Sequence, residues 1–336
     1  MKIIVDAFGG DHAPAEILKG CEQAVSEYGV NIILTGDENI IREVSQKENI
    51  SLSNIEIVHA EQAMPVEAEP AEIMKSYKDC SMAKGLRLLS EGAGDAFVSA
   101  GSTGALLVGG TMIVKRIKGI KRPALATVIP ASNGRYMLLD CGANSECRPE
   151  MLVQFAIMGS AYMQRLMNVQ SPRVGLINIG AEETKGLALQ VEAHAMLKAA
   201  PVNFVGNVEP RSLPLGEVDV AVADGFTGNV VLKLTEGLGK MFNNQLKGIF
   251  YKNIGTKFAA IIVSNGLKLF KKQMDYKEYG GAPLLGLAKP VIKAHGSSDA
   301  RAIKNAIRQA VGVVKNDVIS QIQLSISEMK AQDEPE

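Results

Sequence analysis

The sequence predicts an α/β protein with a mostly parallel sheet. Apolar, β-branched runs alternate with helix-like segments along most of the 336 residues. Five of those runs end in a glycine-rich turn carrying Asp, Asn, Ser or Lys, and four of the turns lead straight into helix-like sequence. The five are VDAFGGDHAP (5–14), FVSAGSTG (97–104), LLDCGANSECR (138–148), LINIGAEETKG (176–186) and VDVAVADGFTGN (218–229). If these runs are parallel strands of one open sheet, their turns gather at its carboxyl edge, where such sheets bind ligands. The pattern then describes one site, and an anion is the guest it favours.

In order along the chain, Ile3, Ile4 and Val5 open the first strand (3–6), and a helix over 15–28 follows its turn. Strands are expected at 31–35, 55–59 and 96–99, with a helix over 80–90 before the third of these. The run after Gly104 predicts a helix over 105–117. Strands at 124–128 and 137–140 precede a helix over 149–167. Strands at 174–179, 203–205 and 218–223 then alternate with helices over 187–198 and 229–250. HGSSD (295–299) opens a last amphipathic helix. Residues 255–279 differ in character, because Lys257, Lys268, Lys271 and Lys272 are interleaved with Phe258, Ile261, Ile262, Leu267, Leu269 and Phe270. They read as a helical hairpin leaving the main body. With no internal repeat and no clear linker, the expectation is one domain over 1–330, a projecting hairpin over 252–280 and a frayed acidic tail over 331–336.

Composition narrows the function. Apolar residues make up 46% of the chain, enough for a substantial core. No uninterrupted apolar stretch approaches the roughly 18 to 20 residues a spanning helix needs, and the start reads as a strand rather than a signal peptide, so a cytoplasmic protein is expected. Cys21, Cys80, Cys141 and Cys147 are too scattered for a disulfide framework, and four His show no metal-ligand spacing. Formal net charge is zero, which argues against general nucleic-acid binding. Basic residues nevertheless cluster: Lys115, Arg116, Lys118, Lys121 and Arg122 crowd one helix end, and seven Lys with no Asp or Glu fall within 237–274.

Each turn carries its own chemistry. The Ser99-Ala100-Gly101-Ser102-Thr103-Gly104 turn, between strand and helix, offers backbone N–H groups and two hydroxyls to an oxyanion, or is only a tight turn. Asp6, Gly9, Gly10 and His12 put carboxylate and imidazole at the end of the first strand, where His12 either orients a ligand or fixes the helix start. No G-x-G-x-x-G follows that strand, so nicotinamide chemistry is unsupported. Lys185 places an ammonium at a strand-end loop, as a phosphate counter-charge or as part of a solvated Lys/Glu turn. Asp224, Gly225, Thr227, Gly228 and Asn229 pack acid, hydroxyl and amide into one turn. Asn229 either caps the following helix or donates its amide to a developing oxyanion. Ser297 and Ser298 open a second anion-friendly helix end, where capping is the simpler account. Cys141 and Cys147 have no His partner in the pattern, so a thiol nucleophile is not expected, and Asn144 between them is the better site residue.

Taken together, VDAFGGDHAP, SAGSTGALL with RIKGIKRPALAT, LLDCGANSEC with PEMLVQFAIMG, NIGAEETKG, ADGFTGNVVLK, GGAPLLGL and HGSSDARAIKNAI resemble the bacterial phosphate acyltransferases. These make acyl-phosphate from acyl-[acyl-carrier-protein] and orthophosphate for phospholipid synthesis. The resemblance runs nearly end to end. It implies a Rossmann-like three-layer fold of the isocitrate and isopropylmalate dehydrogenase type, a homodimer, and no metal or organic cofactor. It places catalysis on Lys185 and Asn229; phosphate or substrate binding is expected, from the residues themselves, at the turn residues named above. Phe8 and Ser102 stand where the pattern leads one to expect Met and Asn. The acidic carrier protein gives 115–122 a docking partner. A membrane acyltransferase that uses the product gives Phe258, Ile262, Leu269, Phe270 and Lys271 an anionic membrane surface to meet. A phosphotransacetylase-like enzyme using acyl-CoA and a non-catalytic carrier or membrane scaffold are the competing readings.

Overall fold

The computed structural model describes residues 1–264, 266 and 280–333. Its first half alternates β1 (Lys2–Asp6), α1 (Ala15–Tyr28), β2 (Asn31–Gly36), α2 (Glu38–Lys47), β3 (Ile55–His59), α3 (Ser81–Glu91), β4 (Ala96–Ser99) and α4 (Thr103–Gly109). The hairpin β5 (Ala124–Ala131) and β6 (Gly134–Leu139) leads to α5 (Pro149–Met167), β7 (Arg173–Ile177), α6 (Ala188–Ala199), β8 (Asn203–Val208) and β9 (Val220–Val222). Then come α7 (Gly225–Phe250), α8 (Ile254–Ile262), β10 (Ala282–Leu285), β11 (Val291–Lys293), α9 (Ala300–Lys315) and α10 (Val318–Asp333).

Among the described residues eleven strands form one sheet, ordered β3-β2-β1-β4-β11-β10-β5-β6-β9-β7-β8. Ile3 and Val5 pack on one face with Leu18, Phe155 and Ile303, whereas Ile4 packs on the other with Met82, Leu86 and Leu106. That period-two alternation, apolar on both sides, buries the strands between two helical layers. The result is the expected three-layer α/β architecture.

The sheet consists of two parallel blocks of opposite sense. β3, β2, β1, β4 and β11 run together, as do β6, β9, β7 and β8. Between them β10 pairs antiparallel with β11 and β5, and β5 pairs antiparallel with β6. The five turns therefore do not share one carboxyl edge. Those after β1 and β4 lie at one edge, and those after β6, β7 and β9 at the other.

Two helices depart from their expected bounds for local reasons. The helix expected over 105–117 gives way after Gly109 to a π turn, Gly110–Val114, and Lys115 takes a φ of 72°. Beyond it Arg116 bridges to Leu287 and Ile117 N–H donates to Gly286, so the chain leaves the helix to pair with the sheet. α7 begins four residues before Asn229, because Asp224 caps it. α8 has no buried residue, and the remainder of the expected hairpin from 267 to 279 lies outside the described residues.

Candidate active site

At the first edge, three adjacent strands, β1, β4 and β11, interlock their turns. Asp6 is buried and accepts hydrogen bonds from Ser81 Oγ (2.6 Å), Ser99 Oγ (2.7 Å) and Phe8 N–H (3.2 Å). Burial pushes its carboxyl above the ordinary value, against those hydrogen bonds and the charge of Lys293. Asp11 N–H donates to Gly296 O at 2.8 Å, and Ala294 N–H to Ser99 O at 2.9 Å. Lys293 Nζ donates to the carbonyls of Ala294 and, at 3.3 Å, Ala100, which holds the turn before Gly101. Burial lowers its pKa to about 8, with Asp11 and Asp6 opposing and Lys233 adding to the fall. Gly10 sits at a φ of +101°, and a Cβ there would meet Gly296 O at 2.9 Å. The N–H groups of Gly9 and Gly10 have no partner among the described residues.

Not every predicted residue at this edge is open to a ligand. His12 is exposed, and its carbonyl accepts Glu16 N–H at 3.2 Å, which favours the role of fixing the helix start. Ser102 caps α4, accepting Ala105 N–H at 3.5 Å, with Thr103 and Gly104 in the first turn behind it. The N-terminus of α9 is closed by protein carboxylates: Asp299 accepts Ala302 N–H and Glu16 accepts Ala300 N–H. Ser298 is buried, and Ser297 Oγ lies 3.0 Å from His295 Nδ1, so neither builds the second anion site that the sequence suggested.

At the opposite edge β6, β9 and β7 are adjacent and bring their three turns together. Asp140 is the hub. Its Oδ1 accepts Leu125 and Ala143 N–H, and its Oδ2 accepts Asn144 N–H and Asn144 Nδ2, all at 2.7–3.1 Å. Asn144 Nδ2 also donates to Pro123 O at 2.8 Å, so its amide nitrogen is committed to the scaffold. Asp224 accepts Thr227 N–H at 2.9 Å and Thr227 Oγ1 at 2.7 Å, and Gly225 N–H donates to Asn144 O at 2.7 Å. A Cβ on Gly228 would lie 1.9 Å from Asp140 O, so only glycine fits between α7 and this turn. Asp224, not Asn229, is the helix cap; that alternative for Asn229 falls. Asn229 is exposed and lies beside Gly142. Lys185 is exposed too, with no carboxylate partner among the described residues, on a loop pinned by Asn178 Nδ2 to Lys185 O (2.9 Å). Burial pushes the thiols of Cys141 and Cys147 up, the latter to about 12, so neither is a ready thiolate.

α7 connects the two edges. It starts beside Asn144, and one turn beyond Asn229 the Lys233 charge lowers the pKa of both Lys293 and His295, secondary in each case to burial. Sequence reasoning missed Asp140, Lys293 and Ser81 as members of these clusters, and placed Ser99 at the turn without its bond to Asp6.

The sequence model of the family described as "fatty acid synthesis protein" matches residues 1–321. The phosphate acyltransferase of Alkaliphilus oremlandii is 48% identical over 329 residues, covering 98% of each chain. That of Clostridium novyi is 46% identical over 329 residues, covering 98% of this chain and 99% of the relative. The chain belongs to the phosphate acyltransferase family. It is thus an acyltransferase whose acceptor is phosphate. Its fold is shared with a phosphotransacetylase from Streptococcus pyogenes (TM-score 0.65, 17% identity, covering 95% of this chain and 94% of that one). It is also shared with a 4-hydroxythreonine-4-phosphate dehydrogenase structure from Salmonella typhimurium, described there as putative (TM-score 0.54, 13% identity, covering 93% and 99%).

Two further surfaces of the acyltransferase bear on its site. Lys115, Arg116, Lys118, Lys121 and Arg122 are all exposed. Lys121 pairs with Glu150 at 2.5 Å, while Lys115, Lys118 and Arg122 have no carboxylate partner among the described residues. Arg122 is next in sequence to Pro123, whose carbonyl accepts the Asn144 amide, so this basic cluster adjoins the edge that carries Asn229. On α8, Phe258 and Ile262 are 65% and 83% exposed, whereas Leu269, Phe270 and Lys271 lie outside the described residues. No helix among the described residues is long and apolar enough to cross a membrane.

Proposed function

We propose that the donor is a long-chain acyl-[acyl-carrier-protein] and that the acyl-phosphate formed feeds phosphatidic acid and phospholipid synthesis. The observation that carries this reading is the basic 115–122 cluster beside the Asn144 and Asn229 turns. An acidic carrier seated there brings its phosphopantetheine arm to the exposed Asn229 amide. An oxygen of orthophosphate attacks the thioester carbonyl and forms the new C–O bond. The tetrahedral oxyanion collapses, the C–S bond breaks, and the departing thiolate takes up a proton. No acyl-enzyme is needed, in keeping with the raised pKa of both nearby thiols.

Phosphate is a competent nucleophile, so the protein's tasks are alignment and charge stabilisation. Lys185 holds the phosphate together with the Ser102-Thr103 turn, where the cap bond to Ala105 uses the Ser102 oxygen and leaves its hydroxyl proton to donate, and Asn229 donates to the oxyanion. The two phosphate-binding segments belong to opposite edges, and α7, reaching from Asn229 past Lys233 toward Lys293, spans between those edges. The lysine-rich segment after α8 lies on an anionic membrane surface, the chain works as a homodimer, and the product passes to a membrane glycerol-3-phosphate acyltransferase.

The test is release of holo-carrier thiol from palmitoyl-[acyl-carrier-protein], with and without orthophosphate, trapping acyl-phosphate as the hydroxamate. Phosphate-dependent release with hydroxamate is expected. Turnover of palmitoyl-CoA but not of the carrier thioester would replace the donor, and carrier binding with no thiol release would replace catalysis by a scaffold role.

A further inference from the structure

Beside Asp6 a cavity of about 250 Å³ is lined on one side by Gly9, Gly10, Gly101, Asp6 and Ser81. Its other side is Phe8, Met82 and the segment from Ala63 through Met64 and Pro65 to Val66. That segment is anchored next to the cavity by Ser81 N–H donating to Gln62 O at 2.9 Å. The two walls differ in chemistry. One includes Gly9 and Gly10, whose N–H groups have no partner among the described residues, and the other is apolar, with two methionines that adapt to varied shapes. No Lys, Arg or His lines the space to neutralise an anion, and the buried Asp6 carboxyl stands in its wall. A neutral guest with an apolar body suits the space. The established reaction supplies one, the acyl group in transit to phosphate.

We propose that this cavity seats the acyl chain of the donor, and that Met64 and Val66 set the chain length the enzyme prefers. The proposal rests on the carrier-thioester reading for its donor. At about 30 Å³ for each water-sized group, the space takes roughly eight carbons, with a longer chain continuing past Val66 toward solvent. Each methylene that enters it raises kcat/KM by roughly three- to fourfold, and methylenes beyond it add little. Val66 is 57% exposed at the rim, so a larger side chain there closes the cavity without disturbing the core.

The experiment measures kcat/KM for butyryl, octanoyl, dodecanoyl and palmitoyl thioesters of holo acyl carrier protein, for the wild type, Val66→Trp, Met64→Trp and Phe8→Ala. Wild-type kcat/KM is expected to climb to about octanoyl and then level. Val66→Trp and Met64→Trp flatten the climb, lowering the palmitoyl-to-butyryl ratio at least tenfold, while KM for orthophosphate moves less than twofold. Phe8→Ala, which enlarges the cavity, moves the plateau to longer chains. A profile parallel to wild type, or an equal fall at every length with an unchanged thermal midpoint, overturns the proposal. A raised KM for orthophosphate with an unaltered length profile also overturns it and gives the cavity to phosphate. If the wild type yields no hydroxamate from any carrier thioester, the donor reading fails instead, and the same length series on CoA thioesters decides the cavity.

Discussion

Asn229 and Asp140 lie in adjoining turns and have opposite fates. Asp140 spends both oxygens on four N–H groups, and Asn144 spends its amide nitrogen on Asp140 and Pro123, so these side chains fix the backbone rather than meet a ligand. Asn229 has no such duty. Because Asp224 caps α7, the Asn229 amide stays exposed next to Gly142, and its loss leaves the helix start intact. Asn229→Ala is therefore expected to lower kcat by roughly tenfold to a thousandfold, the upper part of which is the usual cost of removing one oxyanion donor, with the thermal midpoint unchanged. Hydroxamate formation under saturating phosphate and carrier thioester measures it; turnover equal to wild type would remove Asn229 from the reaction.

At the scale of elements, the β1, β4 and β11 turns are tied together by a lysine that burial discourages from carrying charge. Lys293 has a pKa of about 8 in the folded chain against an ordinary 10.5. Between those values the unfolded chain holds a proton that the native state has shed, so stability rises with pH across the window. Below pH 8 the native state bears the full cost of a buried ammonium. Relative to Lys293→Met, the wild type should therefore gain up to roughly 3 kcal/mol from pH 8 to 10.5 in urea unfolding. A pH-independent difference would show that the lysine titrates normally. Nothing in the sequence places Lys293 near Asp6. β11 is only three residues and β10 four, both too short to show a period, and a proline stands within or just before each. Strands β1 to β9 are legible, even the short β4 and β9, because each is an apolar run that leads into or out of a turn-residue segment and carries no proline at its start. α2 was overlooked, since only Ile41 and Ser45 of its residues are buried. The reversal between the two parallel blocks did leave a signal, the Asn133-Gly134 pair where the turn after β5 enters β6, with Gly134 at a φ of +100°. Asn-Gly between two apolar runs marks an antiparallel hairpin, and it explains why the five turns divide between two edges. The candidate site residues with free side chains, Lys185 and Asn229, are visible as motif members. Those consumed by the scaffold were visible only as residue types, because their partners come from distant segments.

Across the whole molecule, helix α7 outgrows the body that it caps. At 1.5 Å per residue its 26 residues span about 39 Å, yet only Gly225 and Gly228 are buried and only its early turns, through Val231 and Leu232, pack on the core. Leu234, Leu238, Met241, Phe242 and Ile249 follow at three- to four-residue spacing or its multiples, all exposed, and α8 continues with Phe258, Ile261 and Ile262. An apolar stripe at that spacing needs a second helical surface, and in the homodimer reading a second copy of α7 supplies it. The lysines farther along, interleaved with Leu269 and Phe270, suit an anionic bilayer instead, where apolar insertion and charge attraction add. The two roles separate by mutation. Leu238→Glu with Phe242→Glu should convert the dimer to a monomer by light scattering. Leu269→Glu with Phe270→Glu should leave the dimer intact and abolish pelleting with anionic vesicles. Persistent pelleting of the second variant would sink the membrane assignment, and an unchanged mass for the first would mean that something other than a second copy covers α7.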